Sequence, residues 1–244
     1  MNFSLGIERN TYTILGICER TGRLGVAIAT HSLASGGYCP AVQSNVGVVS
    51  SQAFADPRLL PEAMMRLEGR KSADTCLNEL GELDDYFDYR QIGIVDRDGN
   101  AAAHTGNQCR VWSGHYIVDG FVSMGNYLVS EDVVQAMAHT TQKHNDLDLE
   151  ERLLLAIEAG RDVGGQNQPM TERSAALIVY EAESYALVDL RVDFHKDAVS
   201  ELRRVYEAYK PYIPLYYDLR AKTPDKAPPQ DEWIRLLTDK NQRN

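Results

Sequence analysis

Apolar and polar positions change period along the chain, and these changes mark its strands and helices. The first two apolar runs, TYTILGIC and LGVAIATH, have strand character and flank Arg20-Thr21-Gly22-Arg23, a short link typical of a β-hairpin. A second strand pair is predicted at 41–43 and 46–52, and a third flanks the turn residues 97–100. Later strands are predicted in HYIVDG, FVSMGN, SAALIVY and YALVDLRVD.

Helical periodicity separates these groups of strands. Pro61 and Glu62 stand in the first turn of one predicted helix, and Ser72 is a candidate N-cap of the next. Further helices are predicted in VVQAMAHT, LDLEERLLLAIEAGRDVGG and DAVSELRRVYEAYK. The last segment, KPYIPLYYDLRAKTPDKAPPQDEW, is rich in Pro, Tyr and Lys and predicts an extended surface tail that ends in a short helix.

The order of the elements predicts the fold class. Blocks of strands and pairs of helices do not alternate as βαβ units, which favours antiparallel sheets over a doubly wound parallel sheet. Strands such as GVAIA and VGVVS are apolar on both faces, as a sheet buried between another sheet and a helix layer requires. We therefore expect an α+β protein, a four-layer αββα sandwich of two antiparallel sheets flanked by helices.

Composition narrows the classes of function. The net charge is −10, so we expect no nucleic-acid partner and no anionic membrane surface as partner. The N-terminus lacks the pattern of a signal peptide, and no apolar run reaches the ~18 residues of a membrane span, which predicts a cytoplasmic protein. The four cysteines are scattered without a CxxC pair, as expected of reduced, buried thiols.

Several blocks in order also carry a family resemblance. They are TYTILGICERTGRLGVAIAT, VGVVSSQAFADP, RQIGIVDRDG, HTGNQC, WSGH, MGN, AGRDVGG, RSAALIV and VDLRVDFH. From about Thr11 to about Tyr206 the chain resembles the family of unknown function DUF1028, which is grouped with the N-terminal-nucleophile hydrolases and their αββα fold. We accordingly divide the chain into an extension or propeptide at 1–10, a hydrolase-like domain at 11–209 and a tail at 210–244.

The resemblance implies a role for Thr11. In N-terminal-nucleophile hydrolases the first residue of the mature chain attacks an amide carbon, and its own α-amine takes the hydroxyl proton. An α-amine has a reference pKa of roughly 7.7–8.0 and suits general-base work near neutral pH. Similar family members begin Met-Thr, whereas ten residues precede Thr11 here. An active threonine then requires cleavage of the Asn10–Thr11 bond, by self-processing or by another protease. The alternative is an ordinary β-branched residue at the start of a strand.

Other polar residues end neighbouring strands. The hairpin alone brings Thr30, His31 and Ser32 near Thr11, and the resemblance makes His31 and Ser32 candidates for orienting the amine. Ser51 and Gln52 end the next strand, where a backbone N–H or the Gln52 amide could face an oxyanion. Asn126 could donate to an oxyanion or a substrate carbonyl. These residues also have purely structural interpretations. His31 could be a strand-end residue in water, Ser51 and Gln52 could belong to an ordinary loop, and Asn126 could belong to a turn that tolerates the αL conformation.

A second group could line a substrate pocket. It consists of His104, Thr105, Trp112 and His115, which supply donors, acceptors and an aromatic wall. The histidines have no HxxH, HxH or HExxH spacing, so a metal site from His104, His115 and a carboxylate would need tertiary proximity. We expect no metal and no cofactor, since P-loop, GxGxxG and GxSxG motifs are all missing from the sequence.

Two functional hypotheses follow. The first is an amidohydrolase in which Thr11 cleaves a C–N bond of a small-molecule amide. The second is a non-catalytic oligomeric or ligand-binding protein on the same scaffold. The tyrosines of KPYIPLYYDLRAK also predict a homo-oligomer formed through the tail, against the alternative that the tail packs on its own subunit.

Overall fold

The structure is a computed structural model that describes residues 3–241, which form eleven strands and six α-helices. The strands are β1 Ile7–Arg9, β2 Thr11–Ile17, β3 Leu24–Thr30, β4 Pro40–Gln43, β5 Gly47–Ala55, β6 Arg90–Asp96, β7 Ala101–Thr105, β8 Gly114–Val118, β9 Phe121–Gly125, β10 Ser174–Tyr180 and β11 Val188–Val192. The helices are α1 Leu59–Glu68, α2 Ala73–Leu83, α3 Asp132–Lys143, α4 Leu149–Asp162, α5 Ala198–Tyr209 and α6 Gln230–Asn241. None of these helices has the length and hydrophobicity to cross a lipid bilayer.

One sheet has five antiparallel strands and is centred on β5. Strand β6 pairs with one edge of β5, and β7 pairs with β6. The other edge of β5 is shared, because β4 pairs with its first half and β1 with its last three residues. The N-terminal residues 7–9 are therefore part of a sheet.

The other sheet has six antiparallel strands in the order β11-β10-β3-β2-β9-β8. Strand β2 lies between β3 and β9, and its first residue, Thr11, is paired with Thr30 at the end of β3. Both predicted hairpins, β2 with β3 and β6 with β7, are confirmed. The N-cap prediction for α2 is also confirmed, since Ser72 Oγ accepts a hydrogen bond from the Thr75 N–H at 3.3 Å.

Clusters of buried apolar side chains hold the described elements together. Helices α1 and α2 pack against the five-stranded sheet through one cluster, which includes Phe3, Val49, Leu59, Leu60, Ala63, Met64, Leu67, Cys76, Leu80, Ile92, Ile94 and Ala102. A second cluster joins the two sheets, with Leu15, Ile17, Val26, Ile28 and Val122 from one and Val48 and Val95 from the other. Helices α3 and α4 contact the six-stranded sheet. The prediction of a mixed α and β fold with two antiparallel sheets is confirmed.

The chain divides into two compact units between Leu202 and Arg203. In the second unit the prediction of an extended tail is wrong, because Lys210–Tyr212 and Pro224–Lys226 form 3₁₀ turns and Pro214–Lys222 form a π-helical segment. Tyr212 stacks on Tyr216 with ring centroids 5.8 Å apart, and Trp233 Nε1 donates to the Pro211 carbonyl at 3.1 Å. These aromatic contacts within the unit favour compact helical turns over an extended arm. Oligomerisation through this region stays a prediction.

Candidate active site

Thr11 stands at the head of β2, and its side chain is fully buried. Its hydroxyl lies 3.0 Å from the Arg9 carbonyl oxygen, to which it donates, and 3.1 Å from Thr30 Oγ1. Successive side chains of a strand alternate between faces, so Thr13 shares the face of Thr11. Thr13 Oγ1 donates to Gln52 Oε1 of β5 at 2.6 Å, which shows that this face points toward the five-stranded sheet.

The peptide carbonyl that precedes Thr11 has two side-chain donors. Thr30 Oγ1 donates to the Asn10 carbonyl oxygen at 2.7 Å, and Gln166 Nε2 donates to the same oxygen at 2.5 Å. Gln166 Oε1 accepts from the His31 backbone N–H, also at 2.5 Å, which fixes which end of the amide faces Asn10. The geometry resembles an oxyanion hole, in which fixed donors converge on one carbonyl oxygen.

The next carbonyl, that of Thr11 itself, is held by a buried amide network. The Asn126 backbone N–H donates to it at 3.0 Å, and Gln52 Nε2 donates to it at 3.1 Å. Gln52 Nε2 and Asn126 Nδ2 both donate to Gln91 Oε1, at 2.7 and 3.1 Å. Gln52 and Asn126, predicted near an oxyanion, thus hold the backbone of Thr11 itself, one peptide unit beyond the Asn10 carbonyl.

The network continues into the predicted pocket group. Gln91 Nε2 donates to Thr105 Oγ1 at 3.0 Å, and Thr105 Oγ1 lies 2.9 Å from His115 Nδ1. His104 points elsewhere, because its ring stacks on Phe87 at 4.0 Å and its Nε2 bonds to the Phe87 carbonyl at 3.0 Å. Burial lowers the pKa of both histidines, and the charge of His104 lowers the pKa of His115 further.

The remaining predicted residues lie around this network with different partners. The His31 ring bonds through Nδ1 to the Thr171 carbonyl at 3.0 Å, and the Ser32 N–H donates to Thr30 Oγ1 at 3.0 Å. The Ser51 N–H donates to the Cys39 carbonyl at 2.9 Å and is therefore not available to an oxyanion. The Trp112 ring packs close over Gly114, where an added Cβ would come within 2.5 Å of it.

Two residues of the site, Gln91 and Gln166, were not predicted from the sequence. Gln91 lies within the strand run RQIGIVD, where a polar residue in a buried strand was the available signal. Gln166 directly follows Gly164-Gly165, which was interpreted only as the end of a helix. Their roles depend on tertiary proximity, since Gln166 lies 156 residues from the carbonyl it contacts.

Residues 3–10 are anchored to the first unit. Phe3 belongs to the apolar cluster under α1 and α2, and Ser4 donates to Asp56 Oδ2 through both its N–H and its hydroxyl. Hydrogen bonds from Arg58 and Ser4 hold the pKa of Asp56 well below its usual range. Fully buried Arg90 donates to the Ser4 and Leu5 carbonyls. The segment is thus built into the fold.

A cavity of about 380 Å³ opens at the opposite end of β2, lined by Ile17, Cys18, Glu19, Arg20, Asp119, Phe121, Gln142, Asn145 and Arg152. Burial acts to raise the pKa of Cys18, but hydrogen bonds from Thr21 and Arg20 outweigh it and lower that pKa. Within residues 3–241, no group of three or more His, Cys, Asp or Glu side chains is placed to hold a metal ion.

Comparison with known proteins identifies relatives of the chain. The family of unknown function DUF1028 matches residues 11–202. The crystal structure of a DUF1028 protein from Silicibacter pomeroyi has a TM-score of 0.75 and 30% identity, and the match covers 82% of this chain and 89% of that one. Anbu, an ancestral β-subunit from Yersinia bercovieri, has 11% identity and a TM-score of 0.38 over 83% and 96% of the two chains, a likeness too low to support an inference. Among curated proteins, none matches the chain.

Proposed function

This chain belongs to the DUF1028 family, and we propose that it is the precursor of an N-terminal-nucleophile amidohydrolase with Thr11 as the nucleophile. The helix contacts on each sheet and the apolar cluster between the sheets support a four-layer αββα arrangement. Thr11 would stand at the head of a central strand of that arrangement. Opening of the Asn10–Thr11 bond would give it a free α-amine.

One observation carries the proposal, the convergence of Thr30 Oγ1 and Gln166 Nε2 on the carbonyl oxygen next to Thr11. A substrate carbonyl placed where the Asn10 carbonyl now lies would receive the same two donors. Negative charge that develops on its oxygen during attack by Thr11 Oγ1 would be stabilised there. The α-amine would accept the hydroxyl proton, and water activated by the same amine would later release the acyl group.

The amide network would serve as support for the nucleophile. Gln52 Nε2 and the Asn126 N–H bond to the Thr11 carbonyl, so they fix the strand end from which the hydroxyl attacks. Catalysis tolerates only displacements of the reacting groups well below an ångström, so contacts that position the nucleophile have a large effect on rate. The substrate in this proposal is a small molecule with an amide or peptide-like C–N bond.

The full chain and two variants test the proposal. We expect intact mass to reveal a species that begins at Thr11, and that species to hydrolyse members of a panel of small amides. Thr11→Ala should abolish hydrolysis while the circular dichroism spectrum stays native. The matched control is Thr140→Ala on α3, whose hydroxyl only bonds to the Ala136 carbonyl, and it should retain full turnover. Equal turnover by Thr11→Ala would reject Thr11 as the nucleophile.

A non-catalytic protein on the same scaffold is the second candidate. It is favoured by the full burial of Thr11 and by the anchoring of residues 3–10, which together block the nucleophile while the chain is uncut. Intact mass separates the two candidates. If protein purified from growing cells retains residues 1–10 completely and hydrolyses no amide, the non-catalytic candidate is favoured.

A further inference from the structure

The bond that must open to expose Thr11 follows an asparagine, whose side chain is able to cut it. We propose that Asn10 cleaves the Asn10–Thr11 bond by cyclisation, a step that rests on the proposed function and supplies its free amine. Asn10 Nδ2 attacks the carbonyl carbon of its own residue and closes a five-membered imide ring. Such an intramolecular attack gains its rate from proximity, since both reacting groups belong to one residue.

The carbonyl under attack is already polarised. Thr30 Oγ1 and Gln166 Nε2 donate to its oxygen, and Gln166 is itself held by the His31 N–H. Attack by nitrogen at this carbon places negative charge on the same oxygen as attack by a hydroxyl would. The two donors therefore stabilise cyclisation as well as the later hydrolysis.

The attacking amide has a carboxylate beside it. Asn10 Nδ2 donates to Glu8 Oε1 at 3.0 Å, and Arg110 Nε holds that same carboxylate oxygen at 2.7 Å. The second Nδ2 contact is a weak one to Met170 Sδ at 3.5 Å. Asn10 Oδ1 is buried without a hydrogen-bond partner among the described residues, so rotation of the amide breaks no hydrogen bond at that end.

The Thr11 hydroxyl lacks an equivalent base in the uncut chain. The partners that the structure describes for Thr11 Oγ1 are a backbone carbonyl and the Thr30 hydroxyl, and neither takes up a proton near neutral pH. Its own nitrogen is a peptide nitrogen before cleavage. An attack by Thr11 Oγ1 on the Asn10 carbonyl would thus begin without general-base assistance, whereas the attack by Nδ2 has Glu8.

The reaction balances without any co-reactant. The bond from Nδ2 to the Asn10 carbonyl carbon forms, and the bond from that carbon to the Thr11 nitrogen breaks. Glu8 takes one proton from Nδ2, and one proton passes from protonated Glu8, directly or through water, to the Thr11 nitrogen, which returns Glu8 to its carboxylate form. The products are an N-terminal segment that ends in an imide and a chain that begins with the free amine of Thr11.

The test follows cleavage of the full chain by mass spectrometry, after synthesis in a purified translation system and in cells. We expect the released segment to be lighter by one water molecule than a segment ending in free asparagine. Asn10→Gln, which closes a six-membered ring poorly, and Glu8→Gln, which keeps a partner for Arg110, should each slow cleavage about 100-fold or more. Thr11→Ala should cleave like the native chain. The control Asn145→Gln changes an exposed asparagine and should not alter the rate.

Each other result overturns the inference in a distinguishable way. If Thr11→Ala stops cleavage and the segment ends in free asparagine, Thr11 itself cuts the bond, and the proposed function stands. If the chain is cut in cells but stays intact in the purified system, another protease cuts it, and the proposed function again stands. If the chain stays intact in both, cyclisation and the proposed function fail together.

Discussion

Arg90 is the central anchor of the N-terminal segment, and its removal should destabilise the protein strongly. The guanidinium and its partner Asp84 are both fully buried, with Arg90 Nε 2.7 Å from Asp84 Oδ2. Arg90 Nη2 also lies 3.3 Å from Asp84 Oδ1, to which it donates, and the other N–H groups donate to three backbone carbonyls, those of Ser4, Leu5 and Phe54. One side chain thus ties residues 4–5 to β5 and to the turn after α2.

The expected magnitude follows from the burial of the pair. Arg90→Met has a similar length but leaves the Asp84 carboxylate buried without its cation. Removing one partner of a buried ion pair costs about 3–5 kcal/mol, and the three carbonyls also lose charge-assisted donors. A typical free energy of unfolding is about 5–15 kcal/mol, so the variant should lose at least about 3 kcal/mol and a large part of its stability.

Guanidinium chloride denaturation, followed by circular dichroism, measures this loss. The matched control is Arg191→Met, because the Arg191–Asp189 pair is 39% and 40% exposed and should contribute less than about 1 kcal/mol. The double variant Arg90→Met with Asp84→Leu should recover part of the loss, since no unpaired charge remains buried. The reasoning is refuted if Arg90→Met and the control lose the same free energy of unfolding.

Two further predictions concern titratable groups. Iodoacetamide should modify Cys18 first, because Cys18 lines a cavity and hydrogen bonds lower its pKa. Burial raises the thiol pKa to about 12 at Cys39 and to about 11 at both Cys76 and Cys109. Equal labelling of all four thiols, measured by peptide mass, would contradict this prediction. Burial lowers the pKa of His104, so the unfolded chain binds its proton more readily, and stability should fall as pH drops below about 6.5. Thermal melts between about pH 7.5 and about pH 5.5 should show a smaller decline for His104→Gln, and an unchanged decline would contradict the assignment.

Local signals in the sequence were sufficient for much of the fold. The turn residues between β2 and β3 and between β6 and β7 fix two hairpins because their glycines adopt positive φ, +73° at Gly22 and +85° at Gly99. The hydroxyl of Ser72 fixes the start of α2. These features depend on residues a few positions apart, so they can be predicted from the local amino-acid sequence.

Features that depend on distant partners could not be read in this way. The segment IER is too short and polar to indicate a strand, and it becomes β1 because the edge of β5 offers free backbone groups. The tyrosines of the second unit suggested an interface, but ring contacts inside the unit account for part of their packing. Sequence alone does not distinguish an aromatic partner on the same chain from one on another chain.

The candidate site likewise combines features that local sequence predicts with features that depend on distant partners. The hairpin register brings Thr11 opposite Thr30, and hairpin geometry predicted this part of the site. Gln52 and Asn126 come together at the Thr11 carbonyl because strands β5 and β9 approach β2 from two directions. Which carbonyl each amide contacts depends on side-chain geometry across two sheets. For that reason oxyanion donors were expected at Ser51, Gln52 and Asn126, whereas the side chains that converge on the Asn10 carbonyl are those of Thr30 and Gln166.

The anchoring of residues 3–10 separates two steps of activation. Breaking the Asn10–Thr11 bond creates the amine but leaves β1 paired with β5, Ser4 bonded to Asp56 and Arg90 bonded to the Ser4 and Leu5 carbonyls. Thr11 is fully buried while the segment stays in place, so a substrate carbonyl cannot reach it until at least the end of the segment moves away. On the proposed function, activity therefore requires cleavage followed by displacement of residues 8–10, and a cleaved chain that retains the segment should be chemically mature yet inactive.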